Sequence, residues 1–427
     1  KFAKDIYEEL ANQEFKEKVQ DEMKKTAMAF NIFKQVQFRQ EEDMQEFKDA
    51  KKQLRERLKA LNDTLNQRLF IATGDGKPEH YDAWKASHQP FHWLAEFYEI
   101  IQGNGGFDVI IGNPPYVERN TISYKIDFAS NNYSNLYAYC LERCSQIGSP
   151  YSYNGIIVPM SVTSIREYAH LRLFLAKTYN NLYFTNHSIR PLSLFTGVSQ
   201  RVSIVFANNS NTQTKRTIYT TNYLRTKNPS ILFKTLKYSR ACLDENRDNI
   251  IPKVGDELLS RVFSKIHAKK KDILRYRNNY STHDLHFKDY GETYWIFPFN
   301  FNPCLTPVKS FKTISFDSNM LNSIFVVFNS SLFYIFHTII SDCWHLGSWH
   351  FSEFPISIED LQISLSDELA ASMKENRIVR YDKRAGGDIY EYKIYKSKPI
   401  IDEIDKVLAK HYGFTDEELD FIINYDI

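Results

Sequence analysis

The chain has few cysteines and no hydrophobic run long enough to span a membrane. Its 427 residues include five cysteines and no Cys-x-x-Cys pair, so neither a disulfide framework nor a zinc site is predicted, and we expect no metal. Cys140 and Cys144 are four residues apart without a nearby histidine, and we expect both to be buried small side chains. The sequence also contains no recognisable cleavable signal. We therefore expect a protein of the reducing cytoplasm.

The chain also has little net charge. Lysine and arginine number 54 against 52 aspartate and glutamate, a formal charge of +2, so any contact with nucleic acid needs a local basic face. Aromatic residues make up 15% and hydrophobic residues 43% of the chain. This composition excludes a disordered or fibrous protein and allows two or three globular domains.

Residues 1–89 are predicted to form a helical segment with two long helices packed together. Apolar residues recur there at steps of three and four, as in Ile6, Leu10, Val19 and Met23 and again from Leu54 to Leu69. Gly74 and Gly76 are expected to end the second helix. The segment also carries Lys24, Lys25, Arg55, Arg57 and Lys59. Acidic residues alternate with these cations, which favours a solvated surface over a DNA-gripping arm.

Residues 90–215 are predicted to form the second half of a doubly wound α/β sheet. The apolar run Phe107 to Ile111 indicates a strand buried on both faces. After it the pattern predicts helix 136–147, strand 155–159, helix 166–177, and strands 181–188 and 201–207. The last two strands are expected to close the sheet as an antiparallel hairpin.

Residues 216–427 are predicted to form a separate α+β domain. A polar stretch from Asn208 to Thr214 indicates a linker, and the strand–helix alternation is lost beyond it. A helix is expected from Leu258 to Leu274. The basic residues in and after this helix are candidates for binding phosphate, although a solvated basic helix is an equal alternative. They are Arg261, Lys265, Lys269, Lys270, Lys271, Arg275 and Arg277.

The tetrapeptide Asn113-Pro114-Pro115-Tyr116 follows the predicted strand 107–111 directly. Doubly wound folds place ligands at the carboxyl ends of their strands. The prolines fix a stiff turn that directs the Asn113 side chain outward. The Asn113 oxygen and the Pro114 carbonyl can then accept the two N–H bonds of an aromatic amine, and Tyr116 offers a stacking face to a base flipped out of a duplex.

At these residues the chain resembles the gamma-class N6-adenine DNA methyltransferases, particularly those in type IIG restriction-modification enzymes. The resemblance continues over Pro90–Phe97, Gly105–Val117, Asn135–Tyr137, Gly155–Ser161, Leu194–Arg201, Lys398–Asp405, Tyr412–Leu419 and Asn424–Ile427. It implies a Rossmann-like methyltransferase that transfers a methyl group from S-adenosylmethionine to a flipped adenine in double-stranded DNA, in a bacterium or archaeon. It also implies that Phe195 contacts the adenine opposite Tyr116, and that residues 216–427 are the target-recognition domain.

The sequence departs from this family at the cofactor site. Family members hold S-adenosylmethionine with an aromatic-x-Gly-x-Gly turn after the first strand, upstream of Asn-Pro-Pro-Tyr. Here Gly74-Asp75-Gly76 follows a helix, and nothing else before residue 107 fits. We therefore expect a fragment whose cofactor site lies in a missing N-terminal part or on a partner chain, and which is inactive alone.

Three alternatives remain open. A non-catalytic DNA-recognition or phage-defence module would keep the same fold. An RNA or protein-glutamine methyltransferase would use the same tetrapeptide. A metal-dependent nuclease is suggested by Glu391-Tyr392-Lys393, but no partnering aspartate is evident.

Overall fold

The computed structural model describes residues 2–38, 44–122, 126, 129–195, 199–209, 216–228, 231–289, 296–305, 307, 309–361, 363–383 and 386–425. The chain divides into two compact units. Unit 1 comprises Lys1–Ile110, Asn120–Ser130 and Arg143–Tyr153, and unit 2 comprises Ile111–Arg119, Asn131–Glu142 and Asn154–Ile427. The three domains predicted from the sequence, residues 1–89, 90–215 and 216–427, remain a prediction.

Unit 1 begins with the predicted pair of long helices. Its helices are α1 (Phe2–Gln37), α2 (Met44–Thr73), α3 (Tyr81–His88) and α4 (Trp93–Glu96), followed by a π-helical turn at Glu99–Gly103. α1 and α2 pack against each other, with Leu61 of α2 fully buried beside Val19 and Leu58. The helical N-terminal segment is thus confirmed. The side chains of Ile6 and Leu10 lie outside the described residues.

Gly74 ends α2, as the sequence predicts. Its amide donates a 2.7 Å hydrogen bond to the carbonyl of Phe70, and a Cβ at this position would lie 2.6 Å from the Phe70 ring. A larger residue would therefore displace that ring. Gly76 then turns the chain with a φ of +71°, a conformation that favours glycine.

A six-stranded mixed sheet follows. Its strands are β1 (Phe107–Gly112), β2 (Gly148–Pro159), β3 (Asn181–His187), β4 (Val202–Asn208), β5 (Thr217–Leu224) and β6 (Ser239–Ala241), in the order β1-β2-β4-β3-β5-β6. β3 is antiparallel to β4, as predicted, and parallel to β5; β6 is antiparallel to β5. Helices α5 (Leu136–Ile147) and α6 (Ala169–Thr178) also match the predicted segments. The mixed α/β fold class is therefore confirmed.

Strand β1 differs from the prediction of a strand buried on both faces. It is the outermost strand of the sheet, and the side chains of Val109 and Ile111 are 59% and 80% exposed. An outermost strand is hydrogen-bonded on one edge only, and no element of the described chain covers these two side chains. The apolar character of Val109 and Ile111 was therefore not a sign that these side chains are buried.

The sheet continues beyond residue 216, because β5 and β6 pair with it. The residues of the predicted linker from 210 to 214 lie outside the described part of the chain. β5, which follows these residues, forms backbone hydrogen bonds with β3, which precedes them. Local composition cannot show such pairing.

The rest of unit 2 surrounds a large apolar core. Its elements are α7 (Leu232–Thr235), α8 (Glu257–His267), β7 (Asp284–Lys288), β8 (Phe311–Ser315), α9 (Leu321–Phe328), α10 (Ser331–Ile340), α11 (Ser348–Glu353), α12 (Ser366–Glu375), β9 (Arg377–Asp382), β10 (Gly387–Tyr392), α13 (Lys398–Tyr412) and α14 (Asp416–Ile423). α9 and α10 lie at the centre of this core. No single described helix is long and apolar enough to cross a membrane; α9 and α10 pass that test only together, with a 67° bend between them.

Helix α8 is shorter than predicted. The sequence pattern predicts a helix to Leu274, but α8 ends at His267. Beyond it the chain turns so that Ile273 and Tyr276 enter the core, where they are 1% and 7% exposed. Burial of these two side chains requires the chain to leave the helical path.

Candidate functional site

The motif Asn113–Tyr116 lies directly after β1, as the sequence predicts. Asn113 is exposed, Pro114 is partly buried and Pro115 is exposed. The Tyr116 hydroxyl donates a 3.1 Å hydrogen bond to the carbonyl of Ile157 on β2. Burial raises the pKa of Tyr116 to about 12, so the hydroxyl remains a donor at any ordinary pH.

Two further tyrosines stand next to Tyr116. Its ring meets that of Tyr137 edge to face, at 6.2 Å between centroids, and Tyr137 in turn packs against Tyr168 at 5.2 Å. Burial raises the pKa of Tyr137 well above its ordinary value, and its hydroxyl shares a 3.0 Å hydrogen bond with that of Ser161. The motif tyrosine therefore packs against Tyr137, which is itself buried against Tyr168.

These tyrosines line a cavity of about 370 Å³ within unit 2, a volume in the range of small-ligand sites. Later parts of the chain also line it, and those that matter most below are Arg201, Asp342, Trp344 and His345. Of the cavity residues, the sequence predicted Tyr116 alone as a site residue. Arg201 ends the segment Leu194–Arg201 of the family resemblance, whereas Asp342, Trp344 and His345 belong to no local motif. Only tertiary structure brings all four to the tyrosines.

Asp342 organises the turn that supplies Trp344 and His345. One oxygen of its carboxylate accepts the backbone N–H groups of Trp344 and His345 at 3.0 and 2.9 Å, and the other lies 2.6 Å from Nδ1 of the His345 ring. This hydrogen bond raises the pKa of His345. Burial acts to raise the pKa of Asp342, but the bonds from His345 and the backbone together hold it well below its ordinary value.

Arg201 stands at the start of β4 and is 3% exposed. Its Nε donates a 3.0 Å hydrogen bond to the Tyr223 hydroxyl, which donates in turn to Ser188 at 3.0 Å. The guanidinium carbon lies 4.5 Å from the centroid of the Trp344 ring, within the range of a cation–π interaction. The Tyr223 hydroxyl and the Trp344 ring thus both hold the guanidinium in position.

Phe195, the second predicted base contact, is 37% exposed. Its carbonyl accepts a 2.6 Å hydrogen bond from the Ser193 hydroxyl, and it is not among the residues that line the Tyr116 cavity in the described part of the chain. The next three residues of the same segment, 196–198, lie outside the described residues. A role for Phe195 stays a proposal.

The seven predicted phosphate-binding residues fall into two groups. Arg261 and Lys265 form ion pairs with Glu417 and Glu418 at 2.8 and 2.6 Å, and Lys271 pairs with Glu353. The other four are exposed and form no ion pair with any described residue; they are Lys269, Lys270, Arg275 and Arg277. Cations without a partner remain available to bind phosphate.

The described residues do not fit S-adenosylmethionine. No strand among them is followed by an aromatic-x-Gly-x-Gly turn. Gly105 and Gly106 precede β1, and a Cβ on Gly106 would lie 2.5 Å from the backbone of Gly148. Gly106 is therefore required by backbone packing and leaves no cradle for a ligand.

The nuclease alternative also lacks a metal site in the described part of the chain, where no group of three or more histidine, cysteine, aspartate or glutamate residues could hold an ion. Glu391 instead forms ion pairs with Lys393 and, at 3.1 Å, with Arg380. These pairs hold the pKa of Glu391 below its ordinary value. The carboxylate serves as a partner to two cations.

Residues 7–188 match the model of one protein family, the Eco57I restriction-modification methylase. No curated protein matches the sequence. Among solved structures, the type IIL restriction-modification enzyme MmeI in complex with DNA is 13% identical, with a TM-score of 0.37 over 74% of this chain and 56% of that chain. The DrdV–DNA complex is 14% identical, with a TM-score of 0.30 over 36% of this chain and 19% of that one.

A nuclease-deletion mutant of the type ISP restriction-modification enzyme LlaGI, with a DNA substrate mimic, is 16% identical at a TM-score of 0.28, over 44% of this chain and 18% of that one. The chain spans between 14% and 56% of the length of these and two further matched structures. Over residues 7–188, this chain is similar to restriction-modification methylases of the Eco57I family.

Proposed function

We propose that this chain supplies the target-base site of an adenine-specific DNA methyltransferase in a restriction-modification system. The observation that carries the proposal is the position of Asn113–Tyr116, directly after β1, with Tyr116 lining a cavity of about 370 Å³. The match of residues 7–188 to a restriction-modification methylase family supports a DNA methyltransferase.

The chemistry of the amine gives Asn113 and Pro114 their proposed roles. The lone pair of an exocyclic amine is delocalised into the base, so the nitrogen is a poor nucleophile. Two acceptors, the Asn113 side-chain oxygen and the Pro114 carbonyl, would hold its two N–H bonds and favour tetrahedral geometry at the nitrogen. Asn113 is exposed, so its amide is available to a base, and Pro115 keeps the turn stiff.

Tyr116 would stack on the flipped base. Enzymes that modify a base take it out of the duplex and bind it against aromatic side chains. The ring of Tyr116 is half-buried and fixed by its bond to Ile157, so the stacking face would need no rearrangement. Phe195 would approach the same base from the other side.

Sequencing that detects N6-methyladenine tests the proposal in the cells that carry the natural gene. We expect methylated adenines at one recurrent DNA site, and their loss when the gene encodes Asn113→Ala. Asn104→Ala is the matched control, because Asn104 is also an exposed asparagine, located before β1, and it should leave methylation unchanged. Methylation that survives Asn113→Ala would exclude the proposed role of Asn113.

Absence of methylated adenine with the natural gene would favour the alternative of a DNA-recognition module without catalysis. A different modified base would exclude adenine as the target. Either outcome is visible in the same sequencing experiment.

The methyl donor of the proposed reaction is S-adenosylmethionine, and we propose that residues outside this sequence hold it. Calorimetric titration of the purified chain with this cofactor is expected to show no stoichiometric binding. A tight one-to-one titration would exclude this part of the proposal and leave the base site unaffected.

A further inference from the structure

Arg201 carries a buried charge without a carboxylate partner among the residues that the structure describes. The residue is 3% exposed, and its hydrogen bond to the Tyr223 hydroxyl involves Nε alone. Neither of its Nη nitrogens has a hydrogen-bond partner among the described residues, and Nη2 is fully enclosed. Buried charges in proteins are normally paired or bound to a ligand, because removal of a charge from water is costly.

The carboxylate that lines the same cavity does not pair with Arg201. Asp342 accepts the backbone N–H groups of Trp344 and His345 and pairs with the His345 ring at 2.6 Å. The oxygens of Asp342 are thus bonded to the backbone and to the His345 ring, and neither forms a hydrogen bond with Arg201. The remaining lining residues carry no acidic side chain, so the cavity offers Arg201 no other carboxylate.

Arg201 is also held in place before any ligand binds. Tyr223 fixes its Nε, and the Trp344 ring lies 4.5 Å from the guanidinium carbon. In addition, the carbonyl of Arg201 accepts a 3.0 Å hydrogen bond from the amide of Met160 at the end of β2. A guanidinium that is already oriented loses little conformational freedom when it binds an anion.

We propose that Arg201 binds a phosphate oxygen of the nucleotide whose base stacks on Tyr116. This inference rests on the proposed function, and it adds a specific anion site to the base site. Both residues line the cavity of about 370 Å³. The nucleobase is neutral, so the phosphodiester is the part of the nucleotide that can compensate the charge of Arg201, through a charge-assisted hydrogen bond from the guanidinium.

Fluorine NMR of the full chain, labelled with 5-fluorotryptophan, provides the test. The sequence has five tryptophans, and Trp344→Phe assigns the resonance of Trp344, which contacts Arg201. The probes are deoxyadenosine, deoxyadenosine 5′-monophosphate and inorganic phosphate. We expect the nucleotide to shift the Trp344 resonance with about tenfold higher affinity than the nucleoside.

Arg201→Gln is expected to abolish this preference while deoxyadenosine still binds, and Arg201→Lys to retain part of it, since lysine keeps the charge without the planar fork. The other tryptophan resonances report whether each variant is folded. Arg380→Gln is the matched control, because Arg380 is an exposed arginine paired with Glu391, and it should leave the preference unchanged.

The possible outcomes test the anion site and the base site separately or together. Equal affinity for nucleotide and nucleoside, or a preference that survives Arg201→Gln, overturns the anion site but leaves the base site intact. An Arg201-dependent response to phosphate alone, without binding of deoxyadenosine, supports the anion site and counts against the base site. No response to any probe overturns the anion site and counts against the base site as well.

Discussion

The hydroxyl of Tyr116 and the backbone carbonyl of Ile157 form a 3.1 Å hydrogen bond that ties the Asn-Pro-Pro-Tyr turn to strand β2. The bond fixes the orientation of the ring while its polar end is satisfied. The ring is therefore free to act as an apolar surface. Substitutions of Tyr116 can separate the effect of the hydrogen bond on ring orientation from the effect of the ring as a stacking surface.

Tyr116→Phe removes the hydrogen bond and keeps the ring. We expect it to lower the free energy of unfolding by about 1 kcal/mol and to leave deoxyadenosine affinity nearly unchanged. Tyr116→Ala removes the stacking face and should weaken that affinity by about tenfold or more. Urea denaturation and nucleoside titration measure the two effects. Equal loss of affinity in both variants would contradict a stacking role.

The pair of Asp342 and His345 predicts a defined pH dependence. Asp342 raises the pKa of His345, so the pair stabilises the protein fully below the ordinary histidine pKa of about 6.5 and loses this contribution as pH rises through the raised value. The His345 side chain is 61% exposed, and the effect should stay below about 1 kcal/mol.

Asp342→Asn should lower the pKa of His345 towards its ordinary value, as measured by NMR titration of the imidazole ring. His283 is a suitable internal reference, because it is an exposed histidine at a distant position in the sequence. An unchanged pKa of His345 in the variant would show that Asp342 does not hold the ring in solution.

Local sequence patterns predicted the elements around the site well. Helix α5 and the hairpin of β3 and β4 match the expected segments, since apolar periodicity and turn residues act over a few positions. The turn at Gly74 was predictable for the same reason. Asn113 and Tyr116 could be predicted as candidates because a strand followed by a rare tetrapeptide is itself a local signal.

The meeting of these segments in one cavity could not be predicted, because its residues are far apart in the sequence. Arg201 contacts Trp344 across more than one hundred residues, and no pattern near either residue indicates the other. The exposure of Ile111 was also missed: an apolar strand has the same composition at the centre and at the edge of a sheet. The order of the strands decides whether a strand lies at the centre or at the edge, and this order depends on hydrogen bonds between strands that are distant in the sequence.

We expect Asp405 of α13, which lies outside the candidate site, to contribute to the free energy of unfolding. The residue is 1% exposed, and its carboxylate accepts hydrogen bonds from the backbone N–H groups of Ser331 and Leu332 at 3.3 and 3.2 Å, at the start of α10. Asp405→Ala leaves these two donors buried without a partner, and we expect a loss of about 3 kcal/mol in urea denaturation. Asp402→Ala, on the same helix but partly exposed and paired with Lys398, should cost less than about 1 kcal/mol.

Burial also raises the pKa of Asp405 to about 7, above its unfolded value of about 3.9. A folded pKa above the unfolded one means that the folded state binds the proton more tightly. The contribution of this proton to stability is present below pH 4 and is lost as pH rises from about 4 to 7. Asp405→Asn should remove this slope, and an unaltered slope would assign it to other groups.

The four basic residues without ion pairs give the sharpest test of DNA contact. They are Lys269, Lys270, Arg275 and Arg277. Each lysine or arginine that neutralises a phosphate makes the logarithm of the binding constant fall more steeply with the logarithm of salt, by about 0.9 per contact. Replacement of all four by glutamine should therefore weaken binding to duplex DNA of any sequence and flatten the salt dependence by up to about 4 × 0.9 in slope.

The matched control is Arg261→Gln. Arg261 is already paired with the exposed Glu417, so its loss should leave the slope nearly unchanged. Fluorescence anisotropy at several salt concentrations measures both variants. If the variant with all four substitutions keeps the salt dependence of the unsubstituted chain, these cations belong to a solvated surface. The DNA contacts of this chain must then lie elsewhere.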